Sequence, residues 1–177
     1  MGNRATVIFA DKDWKNLSCV VYLHWNGGPE SIYCFLDEMD RREIRINDPS
    51  YESARFVHIV GDFFDQDSIT GLSLGIWNGP KSMDVADLGE FDSDNGLYVV
   101  MRMRNKKIKK YTREVRRFVM TYDKEGHHEC MKEMTKADVK KEMRRVRNYK
   151  NGSGERYFDS IRKAFLKITG GKKMLGG

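Results

Sequence analysis

Cysteine, proline and long apolar runs are scarce in this sequence, and each shortage excludes a class of protein. Its 177 residues include three cysteines and three prolines. The cysteines are too few and too irregularly spaced for the disulfide framework of a small secreted domain. No stretch approaches the roughly 18 apolar residues that a membrane-spanning helix needs, and the first ten residues lack a signal-peptide pattern. We therefore predict a cytoplasmic protein without a membrane partner, in which Cys19 and Cys34 are reduced and buried.

Motifs for catalysis and cofactor binding are also lacking. The sequence contains no P-loop, no dinucleotide-binding fingerprint and no nucleophile in a known catalytic signature. The segment His127–Cys130 has metal-ligand residue types, but zinc needs four ligands and no second spaced pair exists, so we interpret it as a polar loop. We predict no metal and no cofactor, and we assign no catalytic residue. A non-enzymatic protein fits the sequence better than an enzyme, although residues of a catalytic triad can also meet only in the folded chain.

The spacing of apolar residues predicts an α+β fold. The length fits a single domain, residues 1–170, followed by a flexible tail, residues 171–177. Runs with a period of two predict strands, and apolar residues three and four positions apart predict helices. The predicted order is ββααβββαα, which favours a mostly antiparallel sheet of about five strands with helices packed on it. The predicted strands are 5–9, 19–25, 72–76, 97–104 and 111–122.

Charge is distributed unevenly along the chain. Residues 1–100 contain 8 Lys and Arg against 17 Asp and Glu, whereas residues 101–177 contain 24 against 9. Such a split indicates either a basic surface that binds a polyanion or two halves that neutralise each other in the folded protein. The sequence leaves both possibilities open.

Basic residues in the second half are the candidate nucleic-acid-binding set. They fall in two clusters, one around the fourth and fifth predicted strands and one on the helix that follows Thr135. Tyr98, Tyr111 and Tyr149 lie among them and could stack on bases. The same residues also fit an ordinary solvated face, or one paired with the acidic loop before the fourth strand. The candidate set is Arg102, Arg104, Lys107, Lys109, Lys110, Arg113, Arg116, Arg117, Lys140, Lys141, Arg144, Arg145 and Arg147.

The corner between the second strand and the first helix is the candidate anion site. It contains His24, Trp25, Gly27 and Gly28, followed by Pro29 at the expected helix start. Glycines allow a close backbone approach, and a helix N-terminus presents N–H groups that favour phosphate. We expect a positive φ at Gly28. The same residues also fit an ordinary strand-to-helix turn with no ligand.

The segment Val21–Ser31, VYLHWNGGPES, resembles small uncharacterised proteins of phages, prophages and plasmids. The segment Asp94–Val100, DNGLYVV, is similar to a second part of such proteins. The resemblance implies an accessory protein of a mobile element, and it supplies no catalytic residues to transfer.

Three functions follow as hypotheses. The first is a non-enzymatic protein that binds nucleic acid or a nucleoprotein complex through its basic second half. The second is an anti-defence inhibitor, of anti-CRISPR or anti-restriction type, that binds a host protein, with the acidic stretch Asp62–Asp94 imitating DNA charge. The third is an enzyme that uses an anion site at the His24–Gly28 corner.

Overall fold

A computed structural model of the protein describes residues 3–13, 15–46, 48–64, 71–76, 93–105, 110–126, 128–150, 156, 158–159 and 162–163, without the side chains of 64, 104–105, 110 and 128–130. The strands are β1 Ala5–Ala10, β2 Val20–Leu23, β3 Leu72–Gly75, β4 Leu97–Asn105, β5 Lys110–Tyr122 and β6 His128–Glu133. The helices are α1 Pro29–Arg41, α2 Pro49–Phe64 and α3 Lys136–Asn148.

The six strands within this part of the chain form one sheet in the order β3-β2-β1-β4-β5-β6. Strands β1 and β4 run parallel, with Thr6 opposite Leu97, and the other neighbours are antiparallel. Every residue of β1 is buried, as expected for a central strand that is covered on both faces.

Local sequence signals start each helix. Pro29 opens α1, where its missing N–H costs no hydrogen bond. Asp48 caps α2 and accepts hydrogen bonds from the N–H groups of Ser50 and Tyr51, at 3.0 and 3.1 Å. Thr135 caps α3, and its Oγ1 accepts from the Asp138 N–H at 3.1 Å.

Buried side chains form two clusters, one on each face of the sheet. The cluster on the helix side joins strand residues such as Phe9 and Tyr98 to residues of all three helices. The second cluster contains the alternate strand residues, among them Ile8, Val99 and Phe118. Since successive strand residues point to opposite faces, the sheet has a helix-packed face and a second buried face.

The α+β class is confirmed, and the detailed prediction of the sheet needs two corrections. The sheet is mixed because β1 and β4 are parallel neighbours. It contains a sixth strand because His128–Glu133, predicted in part as a polar loop, pairs with β5. In the predicted final helix, only positions 158–159 and 162–163 are described, and they are helical. The predicted tail lies outside the described residues.

The prediction for the cysteines is half right. Cys34 is buried, and burial raises the pKa of its thiol to about 12. Cys19 is exposed and lies just before β2, which begins at Val20, with its Sγ 3.7 Å from Ser53 Oγ of α2. Among the described residues, no helix is long and apolar enough to cross a membrane.

Candidate nucleic-acid interface

Arg113 of β5 lies inside the protein, where it joins the sheet to the first two helices. Its side chain is 4% exposed, and its Nε donates to Glu52 Oε2 at 2.9 Å. A second guanidinium nitrogen binds Asp40, and a third donates to the Ile44 carbonyl at 2.9 Å. Each of its three side-chain nitrogens therefore binds a partner in the same molecule, and the basic second half neutralises part of the acidic first half here.

Arg117, four residues further along β5, is also buried. Its Nε donates to Glu142 Oε2 of α3 at 2.9 Å, and its guanidinium lies 4.2 Å from the centre of the Tyr98 ring. The Tyr33 hydroxyl donates to the same Glu142 oxygen at 2.8 Å. Burial of the Tyr33 hydroxyl raises its pKa, and the negative charge of Glu142 raises it further.

The other candidate basic residues outside α3 either contact a neighbouring side chain or lie outside the part of the chain that the structure describes. Arg116, on the opposite face of β5, pairs with Glu133 at 2.6 Å and is 25% exposed. Arg102 is half-buried and lies 3.6 Å from the centre of the Tyr111 ring. Lys107 and Lys109 lie outside the described residues, as do the side chains of Arg104 and Lys110.

Helix α3 carries the basic residues that reach solvent. Six of its thirteen residues are Lys or Arg, and two are acidic. Val139 and Val146 are buried, which turns the opposite side of the helix outward. We call this side the α3 basic face; its members Lys140, Lys141, Arg144 and Arg145 are all exposed.

The cations of the α3 basic face are not neutralised by the described part of the protein. The ion pairs of this helix involve other positions: Lys136 with Glu114 at 2.6 Å, and Arg147 with Asp37 at 2.9 Å. Within the described residues, none of the four members of the face has a carboxylate partner. Four like charges on two turns of helix repel one another unless an anion is close.

Internal contacts hold α3 in place on both sides. Glu142 is bound by Arg117 and Tyr33, and Arg147 reaches across to Asp37 on α1. The basic side chains in the last turn, Arg145 and Arg147, also lie where the helix dipole favours positive charge. The α3 basic face therefore lies on a helix that is anchored to β5 and α1.

The three tyrosines predicted to stack on bases have different surroundings. Tyr98 is fully buried and its hydroxyl donates to the Gly27 carbonyl at 3.3 Å, so it cannot contact a base. Tyr111 is 45% exposed and Tyr149 is 57% exposed. Only the last two remain candidates for stacking.

The His24–Gly28 corner is tightly built and offers few free donors. The Gly27 N–H donates to the Asn3 carbonyl at 2.7 Å, and the Ser31 N–H donates to the Gly28 carbonyl at 3.0 Å. Pro29 has no N–H to offer. A Cβ at Gly28 would lie 2.5 Å from Glu30 Oε1, so the protein's own carboxylate already lies at this helix start.

The prediction of a positive φ at Gly28 is wrong. Gly28 is the extended N-cap of α1, with φ −64°, and the left-handed residue of the corner is Asn26, with φ 55°. Gly27 is the position of the corner that requires glycine, because an added Cβ there would lie 2.5 Å from the Ala5 backbone nitrogen. The half-buried His24 and the exposed Trp25 contact each other edge to face, with ring centres 4.8 Å apart.

Sequence reasoning missed the division of the arginines into buried and exposed sets. The signal was present in β5, because Arg113 and Arg117 alternate with Val115 on a single face. Val115 lies between these two arginines and opposite the buried Val100. This face of β5 therefore belongs to the helix-packed side of the sheet. The acidic partners could not be found this way, since Glu52 and Glu142 are distant in sequence.

The acidic loop before β4 and the residues of metal-ligand type are described only in part. The acidic loop lies outside the described residues except for its end, where Asp94 pairs with Arg4 at 2.8 Å. Among the described residues, no group of three or more His, Cys, Asp and Glu side chains could hold a metal ion.

No protein-family model, curated protein or solved structure matches this chain. The resemblance of Val21–Ser31 to phage and plasmid proteins stays a prediction.

Proposed function

We propose that this protein binds nucleic acid, free or in a nucleoprotein complex, through the α3 basic face. One observation carries the proposal: Lys140, Lys141, Arg144 and Arg145 are exposed on one anchored helix, and no carboxylate in the described part of the chain neutralises them. Backbone phosphates are the anions that such a surface attracts in a cell, through release of condensed counterions.

The chemistry of the face favours affinity over sequence recognition. Lysine and arginine on a solvent-exposed surface contact phosphate oxygens, which position a protein on nucleic acid without reading bases. The nearby exposed Tyr149 could add stacking on an unpaired base. We therefore expect binding that depends strongly on salt and weakly on sequence.

A charge reversal restricted to the face tests this proposal. The variant is Arg144→Glu/Arg145→Glu, because neither side chain has a carboxylate partner in the described residues, and we expect their loss to leave the fold intact. Arg147 is excluded, since it pairs with Asp37. The matched control is Lys12→Glu/Lys15→Glu, which makes the same net charge change at exposed positions of the turn between β1 and β2.

The measurement is fluorescence anisotropy of labelled 20-nucleotide single-stranded and double-stranded DNA between about 50 and 300 mM salt, the range where counterion release is steep. We expect the face variant to lose about tenfold in affinity per lost phosphate contact near 0.1 M salt, and its salt slope to flatten by about one per contact. The control should retain both. Wild-type protein that binds neither DNA at about 50 mM salt, or a control that loses as much as the face variant, would contradict the proposal.

A further inference from the structure

The C-terminal end of α3 exposes an aromatic ring beside the α3 basic face. Tyr149 is the C-cap of the helix and is 57% exposed, more than any other Phe, Trp or Tyr side chain in the described part of the chain. A ring that lies mostly in water contributes little to the burial of apolar surface. Packing in the core therefore does not account for this side chain.

Helix geometry places this ring in line with two cations of the face. Lys141, Arg145 and Tyr149 follow one another at intervals of four residues, and side chains at that spacing lie on the same side of a helix, about 6 Å apart along its axis. The C-cap keeps this alignment because the φ of Tyr149, −65°, is that of a helical residue and only its ψ, 127°, is extended. The ring therefore continues the row of cations beyond the last turn.

Backbone contacts hold Tyr149 on both sides. Its N–H donates to the Val146 carbonyl at 3.1 Å, and the next residue, Lys150, pairs with Arg156 in an antiparallel β-bridge. Arg156 is itself bound to Asp159, at 2.6 Å. A residue whose backbone is already held loses less conformational freedom when a ligand contacts its side chain.

A further cation follows the ring. Lys150 is exposed, and no carboxylate pairs with it within the described residues. Tyr149 therefore lies between the cations of the α3 basic face and Lys150. Cations interleaved with aromatic rings are typical of surfaces that bind single-stranded nucleic acid, where the cations follow the backbone and the rings stack on bases.

We infer that the ligand of the α3 basic face is a single strand of nucleic acid, and that one of its unpaired bases stacks on Tyr149. Its phosphates contact Lys141 and Arg145, and the base of a neighbouring nucleotide covers the tyrosine ring. This inference rests on the function proposed above, and it adds the class of nucleic acid and the residue that recognises it.

The dipole of α3 supports this arrangement. The C-terminal end of a helix carries a partial negative charge, which disfavours a phosphate there but does not oppose an uncharged base. Asn148 at the same end is already engaged, because its Nδ2 donates to the Arg144 carbonyl at 3.1 Å. Phosphates near the middle of α3 and a base at its end therefore fit the helix better than phosphates along its whole length.

A duplex fits the same surface less well. The faces of paired bases are covered by their neighbours in the stack, and taking a base out of the stack costs free energy. A duplex therefore gains phosphate contacts alone, whereas a single strand gains those contacts and a stacking contact as well. One such stacking contact is worth about fivefold or more in affinity.

The test is fluorescence anisotropy with four labelled probes of about 12 nucleotides, within the site size of single-strand binders. They are oligothymidylate, oligouridylate, an abasic DNA strand, and a DNA duplex closed at both ends by non-nucleotide linkers. We expect wild type to bind oligothymidylate about fivefold or more tightly than the abasic strand. At about 0.3 M salt, where phosphate contacts are weak, it should also prefer oligothymidylate to the duplex.

The variant Tyr149→Leu removes the ring and keeps an apolar side chain. It should lose about fivefold or more in affinity for oligothymidylate and keep that for the abasic strand and the duplex. Its salt slope should stay unchanged, because no phosphate contact is lost. Tyr149→Trp should retain binding. The matched control is Tyr122→Leu, since Tyr122 is 52% exposed and lies beyond the part of β5 that contacts α3; it should bind all probes like wild type.

Photochemical crosslinking tests the contact without altering the protein. A strand with 5-bromouracil in place of thymine should crosslink to Tyr149 of wild type, as identified by mass spectrometry of the digested protein. Crosslinks confined to other residues would contradict the inference. Oligouridylate distinguishes the source of the strand: tighter binding than oligothymidylate assigns the site to RNA and weaker binding to DNA, and in either case Tyr149→Leu should remove the part of the affinity that depends on bases.

The inference is overturned if neither oligothymidylate nor oligouridylate binds more tightly than the abasic strand, or if Tyr149→Leu binds them like wild type. An equal loss in Tyr122→Leu would overturn it as well. Tighter binding of the duplex at about 0.3 M salt would overturn it and leave the proposed function in place. The variant Arg144→Glu/Arg145→Glu tests that function separately, because it should weaken the binding of all four probes. Failure of wild type to bind any probe would contradict both.

Discussion

Strand β5 and helix α3 both carry several arginines, and the two elements use them differently. Arg113 and Arg117 of β5 are buried and bound to carboxylates from the helices. Arg144 and Arg145 of α3 are exposed, and no carboxylate in the described residues meets them. The difference arises from which face of each element packs against the core. A count of basic residues thus overestimates the surface available to a polyanion, because part of the charge maintains the fold.

The largest expected effect is the loss of Arg117. We expect Arg117→Met to lower the free energy of unfolding by about 3–5 kcal/mol, because it leaves Glu142 buried without its cation. The neighbouring Arg116 is the matched control, since it is part-exposed on the other face; Arg116→Met should cost about 1 kcal/mol or less. Urea denaturation of both variants checks the difference. Equal losses would show that burial does not separate these two arginines.

A second test examines Arg113 together with its partner. Arg113→Met should destabilise strongly because the carboxylate of Glu52 is 5% exposed and would lose its cation. Adding Glu52→Gln should recover part of that loss, with a coupling free energy of about 0.5–3 kcal/mol. Urea denaturation of both single variants and the double variant measures it. Strictly additive losses would contradict the proposed pairing.

A third test uses pH to separate two buried carboxylates. Burial raises the pKa of Glu38, but its hydrogen bonds to Arg41 and Arg42 and their charges outweigh burial, so its pKa lies below the ordinary value of 4.5. Burial raises the pKa of Glu52, and the charge of Arg113 offsets only part of this. The two glutamates should therefore change stability in opposite directions in acid.

The sign of each effect follows from proton linkage. Glu38, with its lowered pKa, stabilises the fold above pH 4.5, and this contribution is lost as the pH falls through the folded-state pKa. Glu52, with its raised pKa, favours the folded state increasingly as the pH falls through its own folded-state value. Compared with Glu38→Gln, wild type should lose its relative advantage between pH 6 and 3, whereas compared with Glu52→Gln it should gain. Urea denaturation across this range measures both, and parallel trends would contradict the assignment.

The smallest expected effect is on the α3 basic face. Arg144→Gln/Arg145→Gln should change the free energy of unfolding by no more than about 0.5 kcal/mol, the usual range for surface positions without specific contacts. Removing two like charges from one helix could even stabilise it slightly. A loss of 2 kcal/mol or more in thermal or urea denaturation would show that the face has structural partners and would end the contrast with β5.

Sequence patterns predicted the local elements well and the long-range pairings poorly. The cap at Thr135, the proline start of α1 and the extent of β4 and β5 all depend on neighbouring residues, and all are confirmed. The parallel pairing of β1 with β4 was hidden because β2, two helices and β3 lie between them in the chain. Strand β6 was missed because it is an edge strand with few apolar residues, and only Met131 of its described side chains is buried.

The candidate site was predictable in part for the same reason. The outward position of Arg144 and Arg145 follows from the narrow apolar stripe of α3, a local periodicity. The partners of Arg113 and Arg117 come from other elements, so periodicity could not supply them. Of the two alternatives posed by the charge split, mutual neutralisation holds in part, because Asp37, Asp40 and Glu52 pair with arginines of the second half. The polyanion-binding surface stays a prediction.

The pairing of β1 with β4 sets a constraint on how the chain folds as it is made. Thr6 must find Leu97, and a ribosome adding about 5–20 residues per second needs roughly 5–20 s to synthesise the segment between them. During that interval β1, an unbroken run of residues that end up buried, has only β2 as a strand partner. Closing so long a loop is slow compared with forming a hairpin. We therefore expect the nascent protein to be most exposed to aggregation and to chaperones before β4 emerges, because β1, the first of the described strands to be made, lacks its second neighbour until then.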